Sequence, residues 1–340
     1  MRRKKILALI LTACLVLSVV VWKGTSMLMG LLNKEEEKAA SNIVESPEEN
    51  SNLRDTVIYY KDDKGFLVPV MRKIPWPEGR GIGKAALRAL VDNPANRQDM
   101  EEIGLTPVLP ANTEIRGMSI NEGICKVDFT KDFLNYVSKE EEQSIVKAVV
   151  YTLTEFPTIG KVRIMIDGKY PDRLTYGTDV SHALTREDIN YVGKDRRKGK
   201  VMVYYQGTVN GIENYFVPVT KDVALVEGTP VTVIDVLQSL VEGPPENSGL
   251  YSVIPEGVQV RNVDVIDGVA YVDFSKEILD VEDGVIAQDI IKSVALTLKE
   301  YYKYDVPLEK VSILAEGEAI EFGEVSKEEP AAVPTFANEY

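Results

Sequence analysis

The chain is 340 residues long, which suits two domains of ordinary size. A composition of 44% hydrophobic and 27% charged residues excludes a wholly disordered chain, a collagen-like chain and a multi-span membrane protein. Its 39 Lys and Arg against 53 Asp and Glu leave a net charge of −14, so a phosphate backbone would repel it and nucleic acid is not an expected partner. His182 is the single histidine, and Cys14 and Cys125 are the two cysteines. That argues against zinc, Ser-His-Asp and Cys-His chemistry together and leaves no cofactor to expect.

Residues 1–32 read as a signal or membrane anchor. Arg2, Arg3, Lys4 and Lys5 precede an uncharged apolar run from Ile6 to Trp22, the layout of an export signal whose basic end stays in the cytoplasm. Two readings stand. Leu11-Thr12-Ala13-Cys14 matches the lipobox of bacterial lipoproteins, with Cys14 the lipidated residue. The apolar residues that continue past Cys14 instead suit an uncleaved signal anchor, and they tilt the reading that way. Either way the chain from about Glu35 onward is expected outside the cytoplasm. Residues 33–55, charged and containing Ser, Asn and Pro, read as a flexible linker.

The body then repeats itself. Residues 104–133 and 249–278 align without a gap with ten identities in thirty, and 144–156 and 289–301 share six of thirteen. Upstream, Phe-Leu-Val-Pro-Val and Tyr-Phe-Val-Pro-Val recur in the same order. The expected domains are therefore 56–180 and 200–325, joined by a polar connector at 181–199 and followed by a disordered tail at 326–340.

In chain order, each unit opens with two β-rich runs, Thr56–Tyr60 and Phe66–Met71 in the first copy, around a Lys-Asp-Asp-Lys-Gly turn. A helix from Ile82 to Val91 should stop before Asn93-Pro94, and its counterpart from Thr232 to Val241 before Gly243-Pro244-Pro245. Hairpins follow at 114–120 with 124–129 and at 258–265 with 269–274, each with a glycine where positive φ is wanted. The longest helix carries an apolar stripe: Ile145, Val146, Val149, Val150, Leu153 and Phe156, matched by Ile290, Ile291, Val294, Leu298 and Tyr301. A strand at 161–166 or 310–314 closes the unit, then Gly168 or Gly317 and a short Leu-Thr-Tyr or Ile-Glu-Phe edge. The fold class is α+β: two tandem repeats, each a β-hairpin followed by α-β-β-α-β, with two helices on one face of a small, mostly antiparallel sheet.

The candidate reactive groups are few. Asp128 and Asp273 recur in Val-Asp-Phe-Thr and Val-Asp-Phe-Ser. They read either as an acid–base pair across a shared cleft or, far more economically, as strand-end residues capping the following turn with help from the hydroxyl. Tyr59-Tyr60, Tyr204-Tyr205 and Tyr301-Tyr302 read as rim-of-core residues, with an aromatic groove as the alternative. Gly79-Arg80-Gly81-Ile82-Gly83 lacks the Gly-Lys-Ser/Thr of a phosphate loop. Cys125 reads as a half-buried strand cysteine, His182 as a solvated loop residue, and Glu140-Glu141-Glu142 as the first turn of a helix.

These residues resemble the GerMN domain. The resemblance rests on Gly243-Pro244-Pro245, Gly249-Leu250, Val253-Ile254-Pro255 and Val272-Asp273-Phe274-Ser275, with Pro110, Asp128 and Phe129 at the matching places of the first copy, where Asn93-Pro94 stands for Gly-Pro. It covers roughly residues 56–325. The resemblance implies a topology like that of ring-building modules of sporulation channels and a non-catalytic scaffold of sporulation or spore germination. It further implies a chain anchored on the extracytoplasmic face, in the intermembrane space of the sporangium. The partners it implies are envelope or sporulation-channel proteins, a ring-type oligomer among the assemblies. A peptidoglycan-binding module of the envelope is the alternative reading, and a hydrolase using Asp128 and Asp273 the least favoured. The motif residues Pro110, Asp128, Phe129, Gly243, Pro244, Pro255, Asp273 and Phe274 are expected to be structural.

Overall fold

Each repeat starts with a hairpin of its own. In the computed structural model, which describes residues 53–76, 81–194, 198–209, 213–224, 229–281, 284–320 and 329–340, β1 (Leu53–Lys61) and β2 (Leu67–Pro75) pair antiparallel with Lys61 opposite Leu67. Asp62 fixes the turn between them: its carboxylate accepts from the N–H groups of Lys64 and Phe66 at 3.0 and 2.7 Å. The second copy repeats the hairpin with longer strands, which we number β6 (Gly199–Val209) and β7 (Glu213–Val223) in chain order.

After the first hairpin come α1 (Ile82–Ala89) and α2 (Pro94–Glu101). Asn93-Pro94 stops α1 as the sequence predicts, and it also starts a helix that the sequence reading does not contain. Asn93 Oδ1 accepts from Asn96 N–H at 3.0 Å, and Pro94 takes the first helical position, where its missing N–H costs no hydrogen bond.

Then β3 (Ile115–Asn121) and β4 (Ile124–Phe129) form a hairpin, α3 (Lys139–Thr154) crosses over, and β5 (Lys161–Ile166) lies parallel to β4. The two-residue turn needs left-handed backbone at both positions, and Glu122 and Gly123 have φ of 49° and 75°. The second copy runs α4 (Val233–Val241), β8 (Val260–Ile266), β9 (Val269–Phe274), α5 (Gly284–Tyr301) and β10 (Lys310–Ala315) with the same pairings and the same kind of turn at Asp267-Gly268. Its sheet is widened by β11 (Glu318–Ala319) and β12 (Ala331–Ala332), both on β10. The expected Leu174-Thr175-Tyr176 edge is a loop, and of Ile320-Glu321-Phe322 only Ile320 is described, its N–H 3.4 Å from the Ile313 carbonyl.

Helices α1 and α3 of the first repeat and α4 and α5 of the second lie on one face of the three-stranded core of the sheet, as the apolar stripes require, and they also touch the hairpin. A repeat is thus hairpin, helices, sheet. Cys125, Val127 and Phe129 point inward from β4 and Ala270, Val272 and Phe274 from β9, all fully buried.

Residues Leu53–Tyr340 form one unit. The segments after each repeat help make it so. The connector is ordered through residue 194, with Leu184 and Ile189 buried and Leu184 exchanging backbone hydrogen bonds with Val162. The expectation of a disordered tail from residue 326 gives way over residues 329–340: Ala337 and Asn338 are buried, and Met71 N–H donates to the Asn338 carbonyl at 2.8 Å. The physical reason is an open strand edge, which the tail's backbone and Asn338 satisfy while Ala331, Val333 and Ala337 pack against the core.

The expected anchor at 1–32 with Cys14, the linker up to residue 52, Gly79-Arg80 and residues 326–328 lie outside the described residues. No described helix is long and apolar enough to cross a membrane.

Candidate functional site

The recurring aspartates are spent on turns. Asp128 and Asp273 each accept a backbone N–H at 2.8 Å, from Gly168 and Gly317 respectively. Each also faces an arginine, Arg116 at 3.7 Å and Arg261 at 3.4 Å, which reaches on to Asp167 or Glu316. The aspartate therefore pins the turn that follows its parallel neighbour strand, rather than the turn that follows its own. The neighbouring hydroxyls, Thr130 and Ser275, hold the start of the hairpin by accepting from Glu114 and Gln259 N–H. Each carboxylate is satisfied within its own sheet, an arrangement suited to fixing geometry rather than to moving protons.

The other motif residues also take local roles. Phe129 stacks on Phe133 at 4.4 Å, and Phe274 is fully buried. The Pro110 carbonyl accepts from the Thr113 N–H and hydroxyl, and Pro255 precedes a turn with Gly257 at φ 83°. Gly243, at φ 79°, ends α4, and Pro244 follows where a helix cannot continue. The Gly243 and Ser239 carbonyls accept from the Tyr205 hydroxyl and from the Lys221 ammonium at 2.7–2.8 Å. Burial holds the Lys221 pKa below the usual lysine value, against the opposing pull of Glu242.

Tyr59, Tyr60, Tyr204 and Tyr205 are buried, so those clusters offer no open platform; Tyr301 and Tyr302 are half-buried, edge to face at 4.8 Å. Cys125 is fully buried, deeper than the half-buried strand position expected, and burial pushes its thiol up to about 11. His182 is exposed, with Nδ1 3.6 Å from Asp179. Among the described residues, no group of three or more His, Cys, Asp or Glu is placed to hold a metal ion.

The densest constellation lies where the repeats meet. There β2 and β7 turn their outer edges to each other, and Pro69 and Pro218 have no N–H to bridge the gap. Two asparagine carboxamides take the place of the missing peptide groups. Asn190 accepts from Leu67 N–H and donates to the Leu67 and Pro218 carbonyls, all at 2.8 Å. Asn338 accepts from Phe216 N–H at 2.7 Å and donates to the Phe216 and Pro69 carbonyls at 2.9 and 2.8 Å. Leu67 and Phe216 occupy the same place in the two hairpins, as do Pro69 and Pro218, so the contact is pseudo-two-fold.

Around it the pairs recur at an offset of 145 residues. Thr152 Oγ1 accepts from Tyr59 N–H and Thr297 Oγ1 from Tyr204 N–H, both at 3.1 Å. Glu155 accepts from the Tyr59 hydroxyl at 2.9 Å and pairs with Arg186, whose guanidinium lies 4.8 Å from the Tyr151 ring centre. Lys299 donates to the Pro334 and Thr335 carbonyls at 2.9 and 2.7 Å. A cleft of about 140 Å³ opens here between Tyr59 and Tyr204, floored by Leu296, Lys299 and Glu300. Its charges are already engaged with protein groups. Sequence reasoning missed both asparagines and Arg186, and the faint signal was an asparagine following each repeat, in Ile-Asn-Tyr and Ala-Asn-Glu.

The family model described as "Sporulation and spore germination" (Germane) matches residues 57–172 and 202–321, the two repeats. The chain belongs to this family. The resemblance read from the sequence therefore holds, and the repeats are tandem GerMN domains. The chain is 30% identical over 315 residues to the spore germination protein GerM of Bacillus subtilis (strain 168), covering 90% of this chain and 83% of that protein. A solved structure of the tandem GerMN domains of the sporulation protein GerM from Bacillus subtilis is 29% identical, covers 84% of this chain and 99% of that one, and superposes with a TM-score of 0.68. The first GerMN domain of that protein, solved alone, is 34% identical over 40% of this chain and 99% of its own length, with a TM-score of 0.35.

Proposed function

We propose that the chain is a non-catalytic scaffold of sporulation or spore germination, tethered to the membrane by its N-terminal segment and acting through protein–protein contact outside the cytoplasm. The observation that carries this reading is the fate of the shared motifs. The recurring aspartates are consumed in turns and the recurring threonines at the seam, and what the fold presents outward is sheet face and sheet edge. Rigid turns and a closed seam support a docking body, where a hydrolase would need a base and a nucleophile held in reach of each other. The family and the relatives named above support the sporulation setting. The basic-then-apolar N-terminus supports the tether, by lipid on Cys14 or by an uncleaved span.

Two experiments test it. In a spore-forming host, a photo-crosslinking residue placed at position 124 or 269, on the solvent side of either sheet, should yield adducts of defined mass with envelope proteins during sporulation. The scaffold fails if neither position yields one while an Asp273→Asn chain, correctly folded, loses all function. The mass of the mature protein, with Cys14→Ala alongside, tests the tether. A diacylated N-terminus or an intact membrane-retained one supports it, and release of an unmodified, soluble chain overturns it.

A further inference from the structure

The two GerMN domains have the same inner face and different outer faces. On β4 and β9 the inward residues are apolar in both repeats, but the outward ones other than the shared Asp128 and Asp273 have diverged. At matching places the first repeat has Asn121, Ile124, Lys126 and Met165, and the second has Ile266, Val269, Tyr271 and Leu314. Ile266 is 58% exposed and sits opposite Val269, while Tyr271 lies between Asp264 and Ser312. The second sheet thus carries an apolar stripe on its solvent side, where the first carries a lysine.

Charge has diverged in step. Residues 56–180 hold 17 Lys and Arg against 18 Asp and Glu, a net −1, whereas residues 200–325 hold 8 against 22, a net −14, so the net negative charge of the repeats lies in the second. Asp264 and Asp267 border the stripe itself. Among the described residues, no backbone group hydrogen-bonds to the outer edge of β8, while β11 and β12 occupy the far edge of β10.

Resting on the scaffold reading, we propose that this face of the second repeat is where the partner docks, and that the partner presents an extended segment of alternating basic and apolar residues. The apolar side chains cover Ile266, Val269 and Tyr271, the basic ones meet Asp264 and Asp267, and the segment's backbone pairs with β8. Charge decides against a second copy of this chain as occupant, because two such faces would bring two strongly acidic repeats together.

The test uses the full chain in non-ionic detergent and two synthetic eight-residue probes, one alternating Lys and Val, the other Glu and Val. Fluorescence anisotropy should show binding of the Lys probe alone, weakening as salt is raised. Replacing Ile266→Asn and Tyr271→Lys installs the residues that the first repeat already tolerates at those positions, so the fold is kept, and affinity should fall about tenfold or more. Glu246→Gln, an exposed charge change of the same size off the sheet, should alter it less than about twofold. Equal loss in both variants, or equal binding of both probes, overturns the proposal. So does sedimentation showing a dimer that Tyr271→Lys dissolves, which would make a second copy the occupant. Crosslinks from position 124 but not from 269 would sink this face while leaving the scaffold reading in place.

Discussion

The two repeats answer the same folding problem with different loops, and the comparison separates what the fold needs from what each copy has added. Shared between them are the aspartate that pins the glycine turn, its arginine, the Tyr–Thr bond at the seam and the Val-Pro of the hairpin. All of these position backbone. Differences fall mainly on loops and outer surface: α2 in the first repeat against Gly-Pro-Pro in the second, and Lys126 against Tyr271, with the buried Glu142 against Ala287 the exception. Positions that close turns are held in common, and positions that face solvent are not.

The seam is where this comparison is broken most severely. Asn338 is 4% exposed, so Asn338→Ala strands the Phe216 N–H and two carbonyls in a dry site and should cost about 3 kcal/mol. Asn190 makes the mirror-image set but is only half-buried, and Asn190→Ala should cost about 2 kcal/mol as water enters. Urea titration of the two variants reads the difference. Equal, negligible losses would mean that the carboxamides are bystanders and that side-chain packing alone joins the repeats.

Why the sequence shows the repeats so well and the seam so badly follows from the same chemistry. Strands β4 and β5, the stripe on α3 and both glycine turns were legible because burial imposes periodicity and left-handed backbone selects glycine. A strap that satisfies a strand edge needs only well-placed carbonyls and one carboxamide, so residues 184–192 and 329–340 carry no periodicity that marks them. Tyr59 and Tyr204 look like rim residues until the meeting of the repeats and the tail covers them. Helix α2 escaped notice because a proline that ends one helix is also the best first residue of the next.

Glu142 sharpens the comparison on the side of the first repeat. It is fully buried, and accepts from the Tyr136 hydroxyl at 2.7 Å and from the N–H groups of Tyr176 and Thr178 at 2.6 and 2.9 Å. It thereby ties down a loop for which the second repeat has only Ala287 in place of the glutamate. Burial alone would raise its pKa, but the hydrogen bonds outweigh that and hold it below the usual carboxylate value. A carboxyl whose folded value is depressed contributes stability above its unfolded value and loses it as pH falls through the folded one. Stability should therefore decline below about pH 4.3 with a slope that Glu142→Gln removes, and the same change should cost about 2 kcal/mol at neutral pH. An unchanged slope would assign the acid sensitivity to other carboxylates.

The aspartate turns should give smaller and matched effects. Asp128→Asn and Asp273→Asn each weaken one charge-assisted bond and one arginine contact on a partly exposed side chain, about 1 kcal/mol apiece. Because each acts inside its own sheet, the double variant should lose the sum. Marked non-additivity would show the carboxylates working as a pair, which is what the hydrolase reading requires.

The smallest effect concerns Cys125, whose counterpart is Ala270. Both positions face the helices from the middle of the sheet and both are fully buried, so Cys125→Ala exchanges one small side chain for another that the fold already accepts, at a cost of about 1 kcal/mol for the vacated volume. Its thiol, pushed up by burial to about 11, carries almost no thiolate at pH 8. In a Cys14→Ala chain, a disulfide reagent should therefore label the native protein only as fast as the first repeat opens, and label it at once in urea. If labelling is fast without denaturant while Asn338→Ala leaves the rate unchanged, the first repeat breathes independently of the seam, and the two GerMN domains are joined less tightly than their shared carboxamides imply.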